Sequence, residues 1–291
     1  MDFVWPMLLG KTEPFSSDQF IYEWKMDGIR LVLIYKKGVG GQCFTRHRTN
    51  CTKVFPEISS ITFDDDVLLD GELIVFDSET GKDDFELVMQ RFQMKKELAI
   101  SFAVDEHPCV FMVFDILYLN GKYLFNMDLL ERKKILDQCI QNGENIQKVS
   151  FIDSEGEALY RQVEEMKLEG MVAKRKTSLY QPGKRNEVDW KKIVRYEIYD
   201  IVITGYRKKK FGLLCSFISN KGMKPAGVIE FATKEARRGF YDQVNGLKGN
   251  EDQLNVYLTA VISGKVKTRG LTKNGYLRTP LLIAINTVQF L

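Results

Sequence analysis

The pattern of apolar and polar positions gives the chain two textures. Up to about residue 190, apolar runs of strand length alternate with turn-rich segments and a few stretches of helical period. Leu31–Tyr35 predicts a strand, Lys36-Lys37-Gly38-Val39-Gly40-Gly41 a turn, and Gln42–Thr45 the returning partner. Val67–Leu69 and Leu73–Phe76 read as two strands flanking Asp70-Gly71-Glu72. Val110–Leu117 reads as a buried strand that ends at the turn Asn120-Gly121. Helical periods run over Asp84–Met94, Asp128–Gln141 and Glu155–Leu168. The last of these stops at Glu169-Gly170, and Met171–Lys174 resumes as strand. Beyond Trp190 the runs shorten. Asp200–Tyr206, Leu213–Ser219 and Val228–Phe231 predict strands, and Lys234–Val244 a helix.

An α+β chain is expected. Short strands with an interposed helix in the last third fit a small barrel of the oligonucleotide-binding type. The boundary is placed near Val194 to Tyr196, which gives domains of residues 1–194 and 195–291. No repeat or low-complexity linker is visible.

Composition narrows the class. The chain has 291 residues, 44% hydrophobic and 28% charged, which suits a two-domain globular protein. No apolar run reaches membrane-spanning length. Met1-Asp2-Phe3-Val4-Trp5-Pro6 lacks the basic-then-apolar pattern of a signal peptide. The five cysteines are scattered, which argues for a reducing cytoplasm over disulfides or zinc. With two histidines, His47 and His107, histidine-based catalysis is disfavoured. Residues 1–189 hold 24 Lys and Arg against 32 Asp and Glu, a net of −8; residues 190–291 hold 18 against 7, a net of +11. The basic last third points to a polyanionic partner.

The candidate chemistry begins at Glu23-Trp24-Lys25-Met26-Asp27-Gly28-Ile29-Arg30, a K-x-D-G-x-R run. A nucleophilic lysine must spend part of its time deprotonated, and nearby cations or a bound metal favour that. Gly28 is read as allowing close approach of the backbone to a ligand. Thr45-Arg46-His47-Arg48 and Phe55-Pro56-Glu57 follow, then Asp70-Gly71-Glu72 and Phe111-Met112-Val113-Phe114-Asp115. Glu169-Gly170-Met171-Val172-Ala173-Lys174, Tyr180 to Arg185, and Trp190-Lys191-Lys192 complete the series. One amine, two carboxylates (Glu72 and Glu169), an aromatic ring and several cations suit attack on a nucleotide α-phosphate. Carboxylates hold a hard divalent cation, cations neutralise the transferring group, and a ring offers a face to a base. A glycine-rich phosphate loop ending in Gly-Lys-Ser or Gly-Lys-Thr is missing, which excludes the P-loop NTPases.

This ordered series resembles the ATP-dependent DNA ligases of the covalent nucleotidyltransferase superfamily. The compact two-domain bacterial and phage types are the most similar, among them the ligase module of ligase D. Thr268-Arg269-Gly270-Leu271-Thr272-Lys273-Asn274-Gly275-Tyr276-Leu277-Arg278-Thr279-Pro280 resembles the last ligase motif. The resemblance implies an ATP-grasp-like nucleotidyltransferase domain of antiparallel sheets and helices, then an OB-fold domain, with the active site in a cleft. Lys25 would be the adenylated lysine, and Glu23 and Arg30 would lie against the nucleotide. Arg46 would contact ribose or the 5′-phosphate of the nick. Glu72 would bind ribose or metal, and Glu169 metal. Phe114 would stack on adenine, Lys174 and Lys192 would touch the α-phosphate, and Arg185 would lie near the phosphates. Lys273 and Arg278 would orient pyrophosphate. Arg207, Lys208, Lys209 and Lys210 would track DNA phosphates.

Departures from the family pattern occur at Arg46-His47-Arg48, where Arg-Asn-Gly is usual, and at Val194, where a second lysine is usual. The implied cofactors are ATP and Mg2+ or Mn2+. The implied partner is nicked duplex DNA, with end-joining or replication proteins in trans, for a monomer in the cytoplasm of a bacterial or phage-infected cell. An RNA ligase or an RNA-capping guanylyltransferase shares the first motif. Phe55-Pro56-Glu57 and the C-terminal motif favour DNA. A catalytically silent binding module is disfavoured by the intact Lys25, Glu72, Glu169 and Lys174.

Overall fold

In the computed structural model, residues 1–220 and 222–289 are described. The chain divides into two compact units, Met1–Val194 and Arg195–Leu291. The first contains β1 (Leu8–Lys11), β2 (Phe20–Trp24), β3 (Ile29–Lys36), β4 (Gly40–Thr45), α1 (Pro56–Ser59), β5 (Val67–Val75), α2 (Phe85–Phe92) and α3 (Glu97–Glu106). It continues with β6 (Cys109–Leu119), β7 (Lys122–Tyr123), α4 (Leu129–Cys139), β8 (Ile146–Lys148), β9 (Phe151–Asp153), α5 (Gly156–Glu165), β10 (Gly170–Arg175) and β11 (Arg185–Val194). These strands form two sheets. One has the order β1-β11-β10-β2-β9. The other has the order β4-β3-β5-β6-β7, with β8 beside β6.

Period-two alternation decides which side chains reach the site. On β3, Leu31, Leu33 and Tyr35 enter a core under α1, α2 and α4, while Val32 and Ile34 join Ile21, Leu68, Leu117 and Trp190 in a core between the two sheets. Arg30 shares the parity of Val32. On β5, Val67, Leu69, Leu73 and Val75 pack the outer core, which leaves Asp70 and Glu72 on the face toward the other sheet. The strands therefore read as almost unbroken apolar runs, buried on both faces.

Asp70-Gly71-Glu72 does not separate two strands. It lies inside β5, which is continuous from Val67 to Val75. The glycine is there because a Cβ at Gly71 would stand 2.5 Å from the Met112 carbonyl oxygen, and the register with β6 shifts between Asp70 and Gly71. Gly28 is likewise required by the protein itself. Its Cβ would stand 2.2 Å from the Leu73 carbonyl oxygen, so the close approach is to β5 and not to a ligand.

The predicted helices form as α2, α4 and α5, each shorter than its periodic stretch. The Asp84 carboxylate caps α2, accepting from the amides of Glu86 and Leu87. α3 was not predicted. It has no side-chain cap and buries Ile100 and Ala103 while exposing Leu98 and Phe102, so no single apolar face shows in the sequence. α4 buries Leu129, Arg132, Lys133 and Leu136, an i, i+3, i+4, i+7 stripe with two cations in it. Arg132 makes paired hydrogen bonds to Asp115 at 2.8 and 2.9 Å and also donates to the carbonyls of Met127 and Ser178. Removing one partner of a fully buried pair strands the other charge. Arg132→Ala is therefore expected to cost about 3–5 kcal/mol in denaturant unfolding. An unchanged midpoint would show that Asp115 does not depend on it.

The second unit contains β12 (Glu197–Arg207), β13 (Leu213–Ser219), β14 (Gly222–Ile229), β15 (Phe231–Ala232), α6 (Lys234–Val244), β16 (Lys248–Glu251), β17 (Asn255–Thr268) and β18 (Leu281–Gln289). They make one seven-stranded sheet, antiparallel except for the β15–β18 pair. β13 and α6 have their predicted bounds. Val228–Phe231 is not one strand, because Glu230 interrupts β14 and β15. β17 and β18 were not predicted. Gly264 and Ser263 break the apolar alternation of β17, which is formed through its pairing with β12. No described helix is long and apolar enough to cross a membrane.

Candidate active site

The site draws Glu23 and Trp24 from β2, Arg30 from β3, Glu72 from β5, Phe114 from β6, Val172 and Lys174 from β10 and Trp190 from β11. Together with Leu9, Lys25, Met26 and Val149 these residues line an open cavity. Lys25 follows the end of β2, its backbone amide donating to the Gly170 carbonyl at 3.0 Å. Its Nζ donates to Glu169 Oε2 at 2.7 Å, and that carboxylate is almost fully buried.

Two further ion-paired groups surround the cavity. Glu23 lies between two lysines, with Lys174 Nζ 2.7 Å from Oε2 and Lys133 Nζ against Oε1. Arg30 forms a two-pronged contact with Asp70, both bonds 2.6 Å. Tyr180 completes it, its hydroxyl donating to Asp70 Oδ2 at 2.6 Å while accepting from the Met7 amide at 2.9 Å. Burial opposes the Arg30 charge, and Asp70 outweighs it.

The electrostatics are tuned by burial. It pulls Lys174 from the ordinary 10.5 down to about 8, with Glu23 opposing and Lys133 adding to the drop. It pushes the Glu72 carboxyl up to about 7, against the pull of Lys25 and Arg30 and helped by Glu169 and Asp70. Glu72 forms no ion pair among the described residues. The Phe114 ring has Arg30 Cζ at 4.3 Å and Lys174 Nζ at 4.2 Å, so its surroundings are cationic before any ligand enters.

Of the residues singled out from sequence, Glu23, Lys25, Arg30, Glu72, Phe114 and Lys174 share the cavity, and Glu169 is bonded to Lys25. Arg46 does not line it: it is exposed after β4, and its Nε donates to His47 Nε2 at 3.0 Å. Arg185 is exposed, with its guanidinium on the Leu9 carbonyl. Lys192 is on β11, two residues after the lining residue Trp190 and in register with Val172, but is not itself in the lining. Lys273 and Arg278 belong to the second unit. There the Arg278 amide donates to the Gly270 carbonyl at 3.0 Å, and the Thr268 hydroxyl donates to the Arg278 carbonyl at 2.6 Å. Arg207 and Lys210 pair with Glu230, and Lys208 pairs with Glu251 at 3.1 Å, while Lys209 is exposed. The cysteines are free, and all but Cys139 are buried.

Sequence reading missed Asp70, Tyr180 and Lys133. Asp70 precedes Glu72 by two, so strand parity alone places it on the same face. Lys133 was legible as a cation within the apolar stripe of α4. Tyr180 carries no signal beyond its place before Arg185.

Residues 8–193 match the family model described as "ATP dependent DNA ligase domain". The chain is 35% identical over 279 residues to the SPbeta prophage-derived DNA ligase-like protein LigB of Bacillus subtilis, covering 96% of this chain and 97% of that one. It is 31% identical over 198 residues to a DNA ligase of Methanosarcina acetivorans, covering 63% of this chain and 34% of that protein. It therefore spans about a third of the archaeal relative and nearly all of the bacterial one. Among solved structures, mycobacterial DNA ligase D complexed with ATP and MES is 23% identical with a TM-score of 0.60, covering 97% of this chain and 95% of that chain. A Lig E DNA ligase is 17% identical with a TM-score of 0.68, covering 98% of this chain and all of that one. These likenesses give the fold as a nucleotidyltransferase unit followed by an OB-fold. This chain belongs to the ATP-dependent DNA ligase family.

Proposed function

We propose that this ligase seals 5′-phosphate/3′-hydroxyl nicks in duplex DNA through an adenylate carried on Lys25. Lys25 Nζ attacks the α-phosphorus of ATP. The N–P bond forms, the bond to pyrophosphate breaks, and the amine gives up a proton. The adenylyl group then passes to the 5′-phosphate of the nick. Attack by the 3′-hydroxyl joins the strand and releases AMP. The observation that carries this reading is Lys25 Nζ in an open cavity, beside Glu169 and with the ion-paired cations Arg30 and Lys174 in the same lining.

The roles divide along that geometry. Phe114 forms the wall for the base, Glu23 and Arg30 hold the nucleoside, and Lys174 with Lys192 neutralises the α-phosphate. Arg185 lies near the phosphates, Arg46 meets ribose or the nick 5′-phosphate, and Lys273 and Arg278 orient pyrophosphate. The exposed cations from Arg207 to Lys210 track DNA phosphates. Glu72 and Glu169 fit a divalent cation, magnesium or manganese. Glu72 is a half-buried acid without an ion-pair partner among the described residues. No cluster of three or more acidic, histidine or cysteine ligands exists among the described residues, so a cation held by these two carboxylates would take its other ligands from water and phosphate. Bound there, such a metal would supply charge neutralisation at the phosphate, and Glu169, which accepts from the Lys25 amine, would be one of the residues that hold it. The protein is proposed to act as a cytoplasmic monomer, with end-joining or replication proteins acting in trans.

The test is sealing of a nicked duplex with ATP, with NAD or with neither. Sealing with ATP alone is expected; sealing with NAD alone, or with a nicked RNA duplex only, would contradict the proposal. Glu169→Ala is expected to raise the magnesium concentration needed for half-maximal self-adenylation by about tenfold or more while the unfolding midpoint changes little. Normal turnover at limiting magnesium would remove Glu169 from the metal site.

A further inference from the structure

The segment that joins β5 to α2, residues 76–84, lies outside the motif series, yet it is a built hairpin. The Asp77 carboxylate accepts from the Glu79 and Thr80 amides at 3.1 and 2.9 Å and from the Thr80 hydroxyl at 3.0 Å. Phe76 bridges to Asp83, and the Asp77 amide donates to the Lys82 carbonyl at 2.8 Å. At the base the Asp84 amide donates to the Val75 carbonyl at 2.8 Å. This bonding fixes the backbone at Lys82 and Asp83.

Those two side chains reach the two segments that meet at Lys25. Asp83 Oδ2 accepts from the Asp27 amide, two residues after Lys25 in the turn from β2 to β3. Burial pushes the Asp83 carboxyl up, the bond from the Asp27 amide opposes it, and the Lys25 charge opposes it as well, so Asp83 lies within electrostatic reach of that amine. Lys82 Nζ donates to the Met166 carbonyl at 2.6 Å. Met166 caps the C-terminus of α5, and Lys167 turns the chain there at φ 54°. A cation at that end is favoured by the helix dipole. Three residues beyond Met166, Glu169 accepts from Lys25 Nζ, and the Gly170 carbonyl accepts from the Lys25 amide at 3.0 Å. The hairpin grows from β5, whereas the α5–β10 turn belongs to the other sheet, so the tie runs from one sheet to the other.

We propose that this hairpin positions the nucleophile, with Asp83 holding the turn after Lys25 and Lys82 holding the turn before Glu169. Neither residue touches the reacting atoms. Both act through Lys25, by setting the distance and angle at which its amine meets the α-phosphorus. A displacement of about 1 Å in a reacting group can cost about 100-fold in rate. The proposal rests on the Lys25-adenylate reading above and adds the residues that aim the amine. Its signature is a defect confined to the step in which Lys25 attacks.

The test uses the full chain with Asp83→Ala, Asp83→Asn and Lys82→Met. Label transfer from ATP, followed across ATP concentrations, gives the rate and KM of self-adenylation. Sealing of a nick supplied already adenylated reports the last step, which needs no lysine nucleophile. Asp83→Ala should slow self-adenylation at saturating ATP about tenfold or more, with KM and sealing of the adenylated nick within about twofold of wild type. Asp83→Asn keeps an oxygen that accepts from the Asp27 amide and should recover most of the rate. Lys82→Met should slow the step less, about two- to threefold, because water competes for its bond. A wild-type rate of self-adenylation in Asp83→Ala would overturn the proposal. So would an equal fall in self-adenylation and in sealing of the adenylated nick, or Asp83→Asn as slow as Asp83→Ala. A wild-type protein that takes no label from ATP would instead sink the ligase reading itself.

Discussion

Lys25→Arg is expected to abolish covalent labelling of the protein by ATP and to stop sealing of a nick that starts with a free 5′-phosphate. Arginine keeps the positive charge and can still pair with Glu169, which sits 2.7 Å from the lysine amine. It cannot supply a neutral nitrogen, because a guanidinium keeps its proton throughout the working pH range. The fold should survive, since Lys25 lies in the cavity lining and not in a packed core. A nick supplied already adenylated should still be sealed, at a reduced rate, because its last step needs no enzyme-bound adenylate. Retained labelling in Lys25→Arg would mean that another nucleophile operates.

Lys174→Met should separate stability from catalysis. The lysine is buried beside Phe114 and Trp190, its pKa pulled from 10.5 to about 8. Loss of a buried cation proposed to neutralise the α-phosphate is expected to slow self-adenylation about 100- to 1,000-fold, as for other preorganised electrostatic groups. Stability should hold or rise, because methionine avoids the burial cost of the charge and Glu23 keeps Lys133 as a partner. The pH dependence has a definite sign. Between about 8 and 10.5 the unfolded chain holds the Lys174 proton and the folded chain does not, so this group adds stability as pH rises through that window, on the order of 3 kcal/mol. The Cys43, Cys51 and Cys109 thiols, pushed up by burial, act in the opposite direction in both proteins. The readout is therefore the difference between wild type and variant, which should shift in favour of the wild type as pH rises from 8 to 10. A parallel pair of stability curves would show that Lys174 does not titrate there.

How much of this was legible in the sequence differs by element. The runs of β3, β5, β6 and β10 were found because they are apolar, whereas β2 and β11 were not predicted; Glu23, Arg30, Glu72, Phe114 and Lys174 fall on strands, and Lys25 just after β2, at positions that the folded sheets bring together. The D-G-E segment was misread because a glycine usually marks a turn, whereas Gly71 sits inside a strand to let the Met112 carbonyl pass. Gly28 was misassigned for the same reason: a sequence shows that a close approach is needed, but not to what. α3 and β17 were invisible because one lacks a single apolar face and the other is fixed by its partner strand. The pairing of Lys133 with Glu23 and of Tyr180 with Asp70 joins residues 110 positions apart, which no local pattern encodes. The basic run from Arg207 to Lys210 reads as free charge in one dimension and is largely neutralised in three.

The measurement that tests the central claim most directly follows one labelled phosphate. Wild-type protein is incubated with magnesium and ATP labelled at either the α- or the γ-position, freed of nucleotide, and then given nicked duplex DNA. The expected result is label on the protein from α-labelled ATP only, mapped to Lys25, and its release as AMP as the nick closes without added ATP. Label from the γ-position, label elsewhere than Lys25, or label that stays on the protein after nicked DNA is added would contradict the account.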